Sequence, residues 1–303
     1  MDRALIAPER ATLLPAAAIA CSAVLWGLWW LPLRGLAELG LSGPAANAAL
    51  YGTAALALAP LGWLRRRQLR RGGFLLLGAG GVFGLALVCW NLALLTGQVV
   101  RVTLLFYLAP VWATLLALAV LGDRAGPLRV VSILLGIGGA AVLLGFEDGL
   151  PLPRSMGDWL GLATGVLFAV SVTLVRKGRD IDGRDQTLVA FTTAALLSVA
   201  MLLVWPIAEG PALPAFGWAA VASLAWLLPL TWLLLWGAGH LDPGRVSLLL
   251  LLEVVVAAVS ATLIAGEPLG LREAAGCVLI MSAGALEAGA ELRRHRRLSA
   301  SRA

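Results

Sequence analysis

Residues 101 to 123, RVTLLFYLAPVWATLLALAVLGD, recur without a gap as residues 245 to 267, RVSLLLLLEVVVAAVSATLIAGE, 144 positions later. Nine of the 23 aligned positions are identical, including Arg101 with Arg245 and Gly122 with Gly266, and the acid that follows is kept as Asp123 and Glu267. Shared Leu and Ala follow from apolar composition, but an Arg and a Gly-acid pair at fixed spacing do not. A chain that carries one helix-length unit twice must build two like halves. If an odd number of membrane spans separates the copies, the halves are upside down relative to each other, a construction used by many secondary transporters. The starts of the halves agree more weakly at an offset of 142, Val24-Leu25 with Val166-Leu167 and Arg34 with Arg176.

The medium is set by composition. Of 303 residues 60% are apolar and 13% charged, against about 25% charged in soluble domains. Apolar runs near 14–33, 44–64, 73–96, 99–121, 127–146, 157–175, 186–208, 216–238, 244–265 and 270–290 are each long enough, at about 1.5 Å per residue, to cross roughly 30 Å of hydrocarbon. The pattern predicts an all-α integral membrane protein of about ten transmembrane helices, arranged as two inverted five-helix repeats over 14–146 and 155–290, with a basic cytoplasmic tail at 291–303. Separators such as RRRQLRR at 65–71, EDGLPLPRS at 147–155 and RKGRDIDGRD at 176–185 carry turn and charge signals, and none is long enough to fold alone. Ala18-Ile19-Ala20-Cys21 faintly resembles a lipoprotein cleavage site, yet the apolar run continues to Leu33, so an uncleaved first helix is expected. Cys21, Cys89 and Cys277 all lie in apolar runs without paired spacing, so neither disulfide nor metal site is expected.

Net charge is +6, but the arginines sit in short loops, where they act as topology signals rather than a nucleic-acid footprint. With both termini cytoplasmic, that side receives 19 Lys and Arg; the other keeps only Arg34, Arg101, Arg154 and Arg272. This asymmetry predicts an inner-membrane protein with an even number of spans, and it places the two repeat copies five spans apart.

Two five-helix halves, Trp26-Gly27 in the first helix, and helices ending in Leu-Gly-Asp (121–123) and Ala-Gly-Glu-Pro (265–268) resemble the EamA-type members of the drug/metabolite transporter superfamily. The most specific stretch is LLLLLEVVVAAVSATLIAGEPLGLREAAGCVLI, although Val254 stands where that pattern usually has Pro; the first copy instead carries Ala109-Pro110-Val111. The resemblance covers nearly the whole chain. It implies a ten-helix carrier with a central cavity between the halves, lined by helices one, three, four, six, eight and nine, and it leaves the substrate open.

Glu253 falls nine residues into the ninth helix, about 13 Å deep and near the bilayer midplane. A charge there costs about 2.5 to 3.5 kcal/mol on insertion scales, so the group faces a wet cavity, pairs with a cation or stays protonated. It is a candidate proton-coupling acid and substrate counter-charge; a neutral carboxyl bonded to a neighbouring helix is the structural alternative. Pro110 in helix four and Pro229 in helix eight each remove one backbone hydrogen bond, freeing the carbonyls of Phe106 and Ala225. Both are candidate hinges, or permanent kinks. Trp26, Asn91, Tyr107, Trp112, Trp226 and Trp232 lie in helices that the resemblance assigns to the cavity, where aromatic faces suit a flat apolar or cationic ligand and a buried amide needs a partner. Packing or lipid contact is the plainer role for each.

Arg101 and Arg245, which open the repeated helices, either hold an anionic group or snorkel to the interface. Asp123 and Glu267 end those helices, where the macrodipole disfavours an anion, so nearby Arg124 and Arg272 are expected to compensate. Gly157, Gly161 and Gly165 form a GxxxGxxxG ridge, and Gly80 with Gly84 a shorter one, both suited to close helix packing.

These features point to a secondary carrier of a small metabolite, an exporter of amino acid-, amine- or drug-like solutes that works by alternating access. Its partners would be a small-molecule substrate and membrane lipid, as monomer or homodimer, without cofactor or nucleic acid. A passive pore or lipid scramblase on the same scaffold is the alternative. An intramembrane enzyme is disfavoured because His240 and His295 are the only histidines and both lie outside the apolar runs, and no GxxxxGK[ST] motif supports a nucleotide-driven pump.

Overall fold

The computed structural model describes residues 7–120, 127–145, 152–177, 181–205, 213–241 and 243–300. Their helical segments follow one another as ten rods. The first half contains α1 (Ala7–Gly27, continued by Trp30–Glu38), α2 (Gly43–Leu64), α3 (Arg66–Thr96), α4 (Val99–Phe106, continued by Ala109–Val120) and α5 (Pro127–Leu144). The second contains α6 (Met156–Lys177), α7 (Gly183–Met201), α8 (Leu213–Val221, a π-turn at Ala222–Leu227, then Leu228–Ala238), α9 (Pro243–Leu250, continued by Leu252–Ala265) and α10 (Leu271–Ala300). Among the described residues, seven of these rods, namely α1, α2, α3, α4, α6, α8 and α9, are long and apolar enough to cross a membrane. In α5 the apolar stretch is shorter, Val130–Leu144.

Several ends differ from the sequence expectation. The separator 65–71 is helical from Arg66 onward and joins α3 across a kink at Gly73, whose φ of 54° and ψ of −150° only glycine adopts readily. Helix α7 ends at Met201, short of the expected 208, and α10 runs to Ala300 beyond the expected 290, taking in most of the basic tail. Gly122, Asp123 and Arg124 lie outside the described residues.

The packing maps onto itself when the halves are exchanged. Rod α3 packs on α6 as α8 packs on α1; α3 meets α7 as α8 meets α2; α4 meets α6 as α9 meets α1. The self-paired contacts α2 with α7, α4 with α9 and α5 with α10 lie on the exchange axis. Direction is read from helix ends. Arg65 at the end of α2 bonds Asp182 and Asp185 at the start of α7. The Val100 amide at the start of α4 donates to Glu267 Oε2 just past the end of α9, 3.3 Å away. Gly145 after α5 lies against the Arg272 guanidinium at the start of α10. Each of these helices therefore runs antiparallel to its counterpart, as the repeat and its odd spacing require.

Glycine decides how closely the halves approach. A Cβ on Gly161 would lie 3.0 Å from the Val102 carbonyl oxygen, and one on Gly165 2.9 Å from that of Phe106, so the ridge on α6 seats the backbone of α4. Gly161→Val is expected to destabilise the protein by about 1 to 3 kcal/mol through overpacking, measured as a lower midpoint of thermal unfolding in detergent. An unchanged midpoint would mean that the two helices are not pressed together.

Both repeated helices are broken at the same place. In α4 the α-helix stops at Phe106 and resumes at Ala109, with the Leu108 and Val111 amides donating three residues back, to Leu105 (3.3 Å) and Leu108 (2.9 Å). In α9 it stops at Leu250 and resumes at Leu252, with Leu251 and Val254 donating to Leu248 and Leu251, each at 3.2 Å. Tyr107 and Leu251 occupy equivalent repeat positions. Pro110 accounts for the first break; the second has no proline and went unforeseen. In α8 the proline is absorbed differently, because the π-turn Ala222–Leu227 places Pro229 within the first turn of a fresh helical segment, where a missing amide hydrogen is tolerated.

Candidate functional site

A cavity of about 220 Å³ lies between the halves, where the two broken helices face each other. From the first half it is lined by Trp26 of α1, Phe83 and Trp90 of α3, and Phe106, Tyr107 and Pro110 of α4. The second half contributes Thr164 and Phe168 of α6, Leu234 of α8, and Ser247, Leu251 and Glu253 of α9. Phe106 sits at the hub of the aromatic wall, with ring centroids 5.0 Å from Trp90, 5.4 Å from Tyr107 and 5.7 Å from Phe168. Among the described residues, Glu253 is the one charged group in the lining. Its side chain projects just past the break in α9 and is 6% exposed.

The Tyr107 hydroxyl bridges the two breaks. Its oxygen lies 2.6 Å from the Leu250 carbonyl, the last residue before the break in α9, and 2.9 Å from Glu253 Oε2. Gly27 lets the α1 backbone press against α9 beside Glu253, since a Cβ there would fall 2.8 Å from both the Glu253 carbonyl oxygen and Val256 Cβ. The Trp26-Gly27 pair thus places an aromatic ring in the cavity and the α1 backbone against α9.

Of the residues singled out from sequence, the cavity gathers Trp26, Tyr107, Pro110 and Glu253. Asn91 lies elsewhere, fully buried, because its amide finds partners inside the first half. Trp29 Nε1 donates to Asn91 Oδ1 at 2.9 Å, and Asn91 Nδ2 donates to Asn47 Oδ1 at 2.7 Å, tying α1, α2 and α3 together. Trp226 is set in the π-turn and donates from Nε1 to the Leu25 carbonyl at 2.9 Å, locking α8 to α1. Trp112 is half-buried outside the cavity lining, and its indole N–H has no acceptor among the described residues. Trp232, 62% exposed, stacks on Trp236 with centroids 6.0 Å apart, and it shares an outer groove with Pro229 rather than the central cavity. Sequence reading missed Phe83, Trp90, Phe106, Thr164 and Phe168. Phe83 beside Gly84 and Phe168 three residues after Gly165 adjoin the glycine ridges, the one signal that could have placed them against a neighbouring helix.

Arginines of the first half meet acids of the second. Arg34 Nη2 lies 2.6 Å from Glu267 Oε1, so Glu267 is compensated by Arg34, an arginine that sequence proximity did not suggest, and by the start of α4. Gly266 makes this possible: at φ 65° it turns the chain left-handed, and the Glu267 amide closes back on the Ala261 carbonyl. Arg101 does not snorkel. Its Nη2 lies 3.0 Å from Asp158 Oδ2 and its Nη1 donates to the Leu143 carbonyl at 3.1 Å, with the two side chains only 14% and 3% exposed. At the opposite end, Arg65 holds Asp182 at 2.7 Å and Asp185 through Nη2 at 2.9 Å; the Asp185 bond raises the already high pKa of the guanidinium.

Two inverted helical repeats, with seven helices among the described residues long and apolar enough to cross a membrane and a cavity where their broken helices meet, define an integral membrane protein built as transporters are. A model of the EamA-like transporter family matches residues 13–145 and again residues 155–286. The chain belongs to that family. A crystal structure described simply as that of a protein shares the fold, with a TM-score of 0.59 and 21% identity over 94% of this chain and 98% of that one. No curated protein matches the chain.

Proposed function

We propose that the protein is a proton-exchanging secondary carrier of small organic cations, exporting them from the cytoplasm by alternating access. The observation that carries this reading is the carboxyl of Glu253, the one acid among the described lining residues, set in an aromatic cavity between two helix breaks. A cation in such a box gains both the carboxylate and the ring faces, at about 2 kcal/mol or more for a desolvated cation–π contact. Among the described residues the lining offers an anion no positive group.

The geometry around Tyr107 supports proton exchange. A phenol has one hydrogen. Directed to the Leu250 carbonyl, which only accepts, it leaves the 2.9 Å Glu253 contact complete only when the carboxyl carries a proton and donates it. An arriving ammonium group displaces that proton, the phenol turns to the carboxylate, and the Leu250 carbonyl is freed at the break in α9. Proton binding and cation binding at one carboxyl then exclude each other, so one cation leaves as a proton returns.

In this reading α5, α7 and α10 complete ten spans. An even count returns both termini to one side, and the Lys and Arg asymmetry assigns that side to the cytoplasm. In that orientation the pairs Arg34–Glu267 and Arg101–Asp158 seal the external end, and the cavity lies between them and the end that carries Arg65 and Arg176.

A thermal-shift screen of the purified protein tests the substrate class, since a ligand that binds only the folded state raises the melting temperature. Aromatic and aliphatic ammonium compounds are expected to raise it, more strongly as pH rises and the competing proton is lost. Stabilisation by carboxylates or sugar phosphates alone would overturn the assignment.

A further inference from the structure

A second, larger concavity is unrelated to the central cavity. It has a volume of about 940 Å³ and opens on the outer surface between α2 and the α7–α8 pair, so that both halves form its walls. Leu58 and Leu61 of α2 face Leu224, Leu228 and Leu235 of α8, and the stacked Trp232 and Trp236 form a flat side. The floor is apolar where helices in a membrane are surrounded by acyl chains. One end differs: it is closed by Gly183 and Arg184, at the start of α7, and by Asp182, which is already held by Arg65. The Arg184 side chain is exposed and forms no ion pair among the described residues. Arg66, Arg67, Arg70 and Arg71, at the start of α3 just past the end of α2, are also exposed, with Arg66 resting on the Trp63 ring at 4.4 Å.

We infer that this groove is a binding site for one anionic glycerophospholipid. Its acyl chains lie along Leu58, Leu61, Leu224 and Leu228, its glycerol region rests beside Trp232 and Trp236, and its phosphate meets Arg184. Charge complementarity selects the occupant. At this end Asp182 and Asp185 share Arg65, while Arg184, Arg66, Arg67, Arg70 and Arg71 stay exposed and leave an excess of positive charge, and the cytoplasmic leaflet, to which the Lys and Arg count assigns this end, is the one that carries anionic lipid. Amphipathic tryptophans at headgroup depth fit the same placement. A lipid seated here bridges α2 to α7 and α8 beside the π-turn and so ties the two halves together from outside.

Native mass spectrometry of the full chain, titrated with phosphatidylglycerol and with phosphatidylcholine of the same acyl chains, tests the site. One phosphatidylglycerol is expected to be retained in preference to phosphatidylcholine. Arg184→Gln is expected to weaken its retention about fivefold, the effect of one lost arginine near an anionic surface, while Arg184→Lys largely keeps it. Leu224→Trp, which fills the groove from an exposed position, is expected to abolish retention of both lipids. Equal retention of the two lipids by the wild-type protein, retention unchanged in Arg184→Gln and Leu224→Trp, or a dimer that forms through this face and excludes lipid would each overturn the proposal.

Discussion

Glu253→Gln is expected to abolish proton-linked transport while leaving the protein folded. The amide keeps the shape of the carboxyl and can still meet the Tyr107 hydroxyl, 2.9 Å away in the native protein, so the packing of α4 against α9 survives. What it loses is the proton and the negative charge. A cation entering the variant cavity meets only aromatic faces and neutral polar groups, and the loss of a desolvated charge pair weakens binding by at least tenfold. The pH response separates this loss from a merely loosened site. In the wild-type protein a single competing proton makes apparent cation affinity rise by up to tenfold per pH unit below the titration midpoint of Glu253; in the variant the slope is expected to vanish. A pH-dependent affinity retained in Glu253→Gln would move the coupling group elsewhere.

Breaking the Arg101–Asp158 pair is expected to have the largest effect on stability. Both side chains are withdrawn from water, at 14% and 3% exposure, and Asp158 is further held by the Arg154 amide at 3.1 Å and the Ser155 hydroxyl through its own amide at 3.0 Å. Arg101→Leu leaves that carboxylate buried without its cation, an effect of about 3 kcal/mol or more. The double variant Arg101→Leu with Asp158→Leu removes both charges and is expected to recover most of the loss, because well-packed apolar residues replace buried pairs at little net cost. Thermal unfolding of the three proteins measures this directly. If the single and double variants melt alike, the pair contributes nothing and the seal at this end rests on packing alone.

Much of this architecture could be read from the chain because the repeat is specific. An Arg at the start and a Gly-acid pair at the end of a helix-length unit fixed two antiparallel copies, and the structure gives the second of those ends a physical account: Gly266 turns left-handed so that Glu267 reaches Arg34 and the start of α4. Partner identity was not legible. Nothing near Glu267 in sequence names Arg34, which is 233 residues away. The cavity was half legible for a related reason. Glu253 and Pro110 stand out because each is costly in a span, whereas Phe83, Phe106 and Phe168 look like any core aromatics until their helices are placed. Asn91 stands out equally and turns out to be a brace, because burial creates a need for partners without saying where they are. The break at Leu251 carries no local signal. It mirrors the proline-made break at Tyr107 across the exchange axis, so here the fold, not the local sequence, sets the backbone.

Counterflow in proteoliposomes tests the carrier reading most directly. The ammonium compound that gives the largest thermal shift is trapped unlabelled inside, and uptake of its labelled form is followed in vesicles of wild-type protein and of Glu253→Gln. The prediction is a transient accumulation of label above its outside concentration, saturable in the wild-type protein and absent from the variant. Flux that rises linearly with concentration and ignores the trapped compound, or accumulation that is the same in both proteins, would contradict a carrier working through Glu253.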